Sequence, residues 1–99
     1  VVIRSTWDYQ DAPEEFLSTL ESIERVTKLY NPVDICRWNL NKQYLRDLQA
    51  KGVQIVPTHW LGNLTKHSIK SVFQSSSAEH LVAKPLIGAK ADDTLVLQP

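Results

Sequence analysis

The chain has 99 residues, and its 11 basic and 11 acidic side chains give no formal net charge, so bulk electrostatic attraction to nucleic acid or to a membrane surface is not indicated. Its 42% hydrophobic content suits one small domain, with no apolar run near the ~18 residues of a membrane span and no signal-peptide pattern at the start. Cys36 is the lone cysteine, which excludes an internal disulfide and is compatible with a reducing cytoplasm, the expected location.

Val1-Val2-Ile3 reads as a short buried-type strand, and Arg4 to Tyr9 as a polar and aromatic loop. Asp11 followed by Glu14 has the form of a capping box, and Pro13 is tolerated in a first turn. Phe16, Leu17, Leu20 and Ile23 then recur at helical spacing. Thr27 to Tyr30 predicts another short strand, and Asn31-Pro32 a break. Asn41 is the expected cap of a second helix, with Leu40 and Leu45 placed as a hydrophobic staple. Gly52 stops that helix, and Val53 can pack back on Leu48. Val53-Gln54-Ile55-Val56 predicts a strand closed by Pro57. A third helix is expected from about Thr65 to Ser75, with Ile69, Val72 and Phe73 on its apolar face.

The last stretch carries the most chemistry. Leu81-Val82-Ala83 is an apolar strand that leads into Lys84 and Pro85, and proline weakens pairing there. Gly88 and Ala89 keep the next loop thin, and Leu95-Val96-Leu97 resumes strand character. Such a loop with a cation on one arm can fold over a polyphosphate; it can equally be a plain hairpin with a solvated lysine. The order β-α-β-α-β-α-β-β has no internal repeat and reads as α/β or α+β. The chain contains no methionine and both opens and closes in expected core strands, so it reads as a piece of a larger protein.

Among single residues, Lys42 in an expected first helical turn opposes the macrodipole, which a bound anion would offset. Its alternative is a tolerated surface lysine. Trp7, Asp8 and Tyr9 follow a predicted strand, where loops line ligand crevices or anchor packing. Arg37, Trp38 and Asn39 read as a linker contact rather than a site. His59, His67 and His80 lack a metal-ligand spacing, and Cys36 reads as a small buried hydrophobe. Lys90, Asp92 and Asp93 read as solvated loop charges.

Lys42 to Leu48, Lys51-Gly52-Val53-Gln54-Ile55-Val56-Pro57-Thr58 and Val82-Ala83-Lys84-Pro85, in that order, resemble the ATP-grasp superfamily. Arg4 to Tyr9, Asn31-Pro32 and Arg37-Trp38-Asn39 resemble its glutathione synthetase ATP-binding-domain-like branch, which includes D-cycloserine-ligase-like proteins. The resemblance implies an ATP-dependent carboxylate–amine ligase working through an acyl phosphate, with small-molecule carboxylate and amine substrates. It implies that residues 1–30 end a preceding α/β domain and that 31–99 begin the N-terminal ATP-grasp subdomain. Lys42 and Lys84 then match the lysines that reach the ATP phosphates, and Gly88 and Ala89 belong to the loop that closes over them. Trp7, Asp8 and Tyr9 become candidate substrate contacts. The Mg²⁺ ligands are expected beyond Pro99, so these residues alone should be inactive. The loop departs from the family in having Gly88 as its one glycine and in placing Asp92 and Asp93 near the phosphates. A non-catalytic nucleotide-binding or regulatory module and a structural or interaction domain are the rival readings; open sheet edges would let such a piece self-associate.

Overall fold

The computed structural model describes residues 1–99. In chain order it contains α1 (Pro13–Val26), α2 (Val33–Leu40), α3 (Tyr44–Ala50), α4 (Lys66–Ser75), β1 (Leu81–Ala83) and β2 (Leu95–Leu97). The architecture is α+β: helices plus one small antiparallel sheet, as the element order led one to expect in class.

Helix α1 forms where Phe16, Leu17, Leu20 and Ile23 recur. It starts at Pro13, whose missing N–H is an orphan in the first turn anyway. The expected Asp11 box does not form: Ala12 occupies the cap position without a side-chain bond, and the Asp11 N–H instead closes a turn on the Asp8 carbonyl at 3.0 Å. Asp11 sits one residue too early to cap. The two expected strands flanking α1 shrink to a single parallel bridge, Val2 with Tyr30, in which the Tyr30 N–H donates to the Val1 carbonyl at 2.8 Å.

Helix α2 was not expected. Val33, Cys36 and Leu40 lie on one face but are separated by charged and aromatic residues, which blurs the stripe. Its packing on α1 makes it helical. Leu17, Leu20, Leu29 and Val33 are the buried residues of the main core, and Ile3, Phe16, Ile23 and Cys36 pack around them. The Glu24 carboxylate of α1 also accepts the Val33 N–H at 3.3 Å.

After α2 the chain turns through Asn41, whose Oδ1 accepts the Gln43 N–H at 2.9 Å; the expected Asn41 cap does not form on α3 itself, because a turn intervenes and Gln43 takes the cap position without a side-chain bond. Helix α3 begins two residues beyond Lys42, so Lys42 lies in the lead-in turn and not in the first helical turn. Gly52 stands at φ +85°, and the Val53 N–H returns to the Leu48 carbonyl at 3.0 Å, the left-handed stop read from the sequence. Val53–Val56 is not a strand. No neighbour pairs with it, and Val56 is 80% exposed. Helix α4 is where periodicity placed it, and a reciprocal box between Thr65 and Ser68 closes its start, with a serine where Glu or Gln is usual.

Strands β1 and β2 pair antiparallel, with Leu81 opposite Leu97, Val82 opposite Val96 and Ala83 opposite Leu95. This short ladder presents the 84–94 loop at one end. No helix is long and apolar enough to cross a membrane.

Candidate functional site: a lysine pair on the hairpin loop

Lys42 and Lys84 start on different elements and meet at the hairpin. The turn before α3 docks on the strand exit through its backbone, with the Lys42 N–H donating to the Leu86 carbonyl at 2.8 Å. The side chain follows: Lys42 Nζ donates to the Pro85 carbonyl at 2.8 Å. Pro85 cannot offer an N–H to the ladder, and its carbonyl is free to take the ammonium. An ammonium carries three donors, so two remain for another acceptor.

Burial against the loop holds the Lys42 ammonium below the ordinary lysine range, and the positive charge of Lys84 pushes it the same way. Lys84 itself is exposed. Neither lysine has a carboxylate partner; the molecule's ion pair is Arg37 with Glu21. Two converging cations without an anion between them form a local positive site, even though the chain is neutral overall.

Gly88 closes the third side. A Cβ on this glycine would stand 2.9 Å from Pro85 Cγ and 3.7 Å from Lys42 Nζ. The close approach requires hydrogen at this position, so the backbone of Gly88 and Ala89 runs directly beside the Lys42 ammonium. Lys42 and Gly88 are therefore brought together, with Ala89 next in the chain, and Lys84 stands near enough for its charge to act on the Lys42 ammonium.

Trp7, Asp8 and Tyr9 do not join that cluster as a group. Tyr9 turns to helix α1, its ring 5.7 Å from that of Phe16. Asp8 closes the turn described above. Trp7 is exposed, and its ring meets Lys90 of the hairpin loop, with Nζ 5.7 Å from the ring centroid.

A groove lies elsewhere, between α2 and α3, with a volume of about 510 Å³ and walls that include Arg37, Trp38, Tyr44 and Arg46. Several of its polar groups already have partners. Trp38 Nε1 donates to Asp47 Oδ2 at 2.7 Å, Arg37 pairs with Glu21, and the Arg46 guanidinium lies 5.8 Å from the Trp60 ring centroid. Trp38 thus pins α2 to α3 and Arg37 ties α2 to α1, which is more than a linker contact. Cys36 Sγ donates to the Asn31 carbonyl at 3.3 Å, and burial first, then the Glu24 charge, pushes its thiol up. That favours the unreactive form. No three His, Cys, Asp or Glu side chains converge as a metal site.

Residues 1–31 match the family described as D-cycloserine synthetase DcsG, N-terminal domain. The solved crystal structure of D-cycloserine synthetase DcsG superposes on 99% of this chain with a TM-score of 0.84 and 34% identity. The chain resembles DcsG. It is also 45% identical over 58 residues to the cycloserine biosynthesis protein DcsG of Streptomyces lavendulae, a stretch that is 59% of this chain. The chain spans about a third of the solved DcsG chain (34%), and the aligned stretch is 19% of the Streptomyces protein. The superposition runs through the lysine pair and the hairpin as well as through the core, whereas the family match on 1–31 takes in Trp7, Asp8 and Tyr9 and stops before both lysines.

Proposed function

We propose that this chain contributes part of the nucleotide phosphate site of an ATP-dependent carboxylate–amine ligase, one that works through an acyl phosphate. The observation that carries the reading is the seat of the Lys42 ammonium against Pro85 and Gly88, near enough to Lys84 to feel its charge, with neither lysine in an ion pair. The likeness to a synthetase supports it from outside the site.

The residues present fit the phosphates of ATP. Two ammoniums and the backbone beside Gly88 supply cationic and hydrogen-bonding groups to oxygens that carry negative charge. They do not fit Mg²⁺, whose carboxylate ligands would have to come from residues other than these. Bound ATP supplies the phosphoryl group that activates the carboxylate. Lys42 holds the loop through Pro85 while its remaining donors face the phosphates, and Lys84 offsets their charge. This is positioning and electrostatics, the usual protein share in phosphoryl transfer.

The test is phosphate release from ATP by the intact protein, supplied with panels of amines and carboxylates. The expected result is release that needs both partners and falls in Lys42→Ala and Lys84→Ala. Release that is unchanged in both variants would remove the lysines from the site.

A further inference from the structure

The hairpin loop brings the Asp92 backbone beside Gly88, where the Lys42 ammonium also packs, yet Asp92 forms no ion pair there. The backbone oxygen of Asp92 and the Nζ of Lys42 lie 3.8 Å and 3.7 Å from the same point, the Cβ position of Gly88. A carboxylate one side chain away from a cation pair is a ready competitor for a phosphate.

The Asp92 carboxylate is occupied elsewhere. Gln10 Nε2 donates to Asp92 Oδ2 at 3.0 Å, joining segments 82 positions apart. Two residues earlier, Lys90 lies over the Trp7 ring. The same two segments are thus clasped at two points. The clasp holds an otherwise unfavourable backbone: Lys90, Ala91 and Asp93 stand at φ 53°, 62° and 51° without being glycine, and such residues persist where the surroundings fix them. Gln10 Oε1 is buried without a donor. The amide leaves its oxygen unpaired while giving its N–H to Asp92, and the reverse orientation would set carbonyl against carboxylate.

We propose that Gln10 and Trp7 are positioning residues that draw Asp92 and Lys90 toward the N-terminal loop and so keep the Asp92 carboxylate off Lys42 and Lys84. The proposal rests on the ATP reading above. It gives the acidic residues of the loop a place compatible with phosphate binding.

The experiment is titration of the intact protein with Mg-ATP by calorimetry, for the wild type, Gln10→Ala, Asp92→Asn and the double variant. Gln10→Ala frees a carboxylate to pair with the lysines, a competition of surface ion-pair strength, and weakens binding about fivefold. Asp92→Asn alone binds at least as well as the wild type, and adding it to Gln10→Ala restores wild-type affinity. Trypsin cleavage after Lys90 is faster in Gln10→Ala and in the double variant alike, because both lose the clasp. Unchanged affinity in Gln10→Ala overturns the proposal. So does weakening that persists in the double variant, which would trace the loss to a loosened loop and not to the charge. A wild type that does not bind Mg-ATP overturns the ATP reading itself, and this proposal with it.

Discussion

Lys42 carries two jobs with one ammonium. It ties the α3 lead-in to the hairpin through Pro85, and it feels the positive charge of Lys84. Because burial and Lys84 depress its pKa, the unfolded chain holds the Lys42 proton more firmly than the folded one. Folding stability from this group is therefore present above the ordinary lysine value and lost as pH falls through the depressed folded value. Lys42→Gln should flatten the alkaline rise in stability, measured by urea melts across that range. A polyanion between the lysines reverses the electrostatic part. ATP should move the Lys42 Nζ titration upward in NMR, and no movement would mean that the anion binds elsewhere. Lys42 was read from the sequence as a cation in a first helical turn, and Lys84 as a cation on a strand beside a loop. Their reach toward one anion came from the family resemblance; the tie behind it, the Lys42 backbone bonding Leu86 across 44 positions of chain, had no local signal. The clasp of Gln10 on Asp92 had no local signal either.

At the scale of elements, local codes were legible where the residue itself decides the backbone. Gly52 is the clear case. Its φ of +85° favours glycine, and nothing lies within 4 Å of the added Cβ position. Gly52→Ala should cost about 1 kcal/mol by backbone strain alone, read as a lower urea midpoint with an unchanged slope. Gly88 fails for the opposite reason. Its substitution meets Pro85 Cγ at 2.9 Å, so Gly88→Ala should shift the loop against the Lys42 ammonium and weaken Mg-ATP binding more than it lowers stability. Helix α4 and the β1–β2 hairpin were read from spacing alone. Helix α2 was not, because its helicity depends on packing against α1. The Val53–Val56 run shows the converse error: strand-like residues form no strand without a neighbour to complete the ladder.

At the scale of the whole molecule, the core is small: four of its residues cluster on α1, α2 and the segment between them, and Val72 is buried apart from them on α4. Leu17, Leu20, Leu29, Val33 and Val72 are its 5 buried residues. The radius of gyration is 16.6 Å, beyond the ~13 Å of a compact domain this size. So few contacts leave little in reserve. Leu20→Ala, at 4% exposure within the main cluster, should cost about 2–5 kcal/mol and unfold the α1–α2 half in far-ultraviolet circular dichroism. The hairpin keeps its own ladder and lysine tie, so the lysine pair is held by a part of the fold separate from the α1–α2 core. The likeness to DcsG extends over 99% of the chain, so it takes in both the α1–α2 core and the hairpin.

The phosphate role of the lysine pair meets its most direct test in calorimetric titration of the intact protein with Mg-ATP, comparing the wild type with Lys42→Ala and Lys84→Ala. The account predicts saturable binding that weakens about tenfold or more in each variant, the loss of one charge-assisted hydrogen bond. Equal affinity in all three proteins would contradict it.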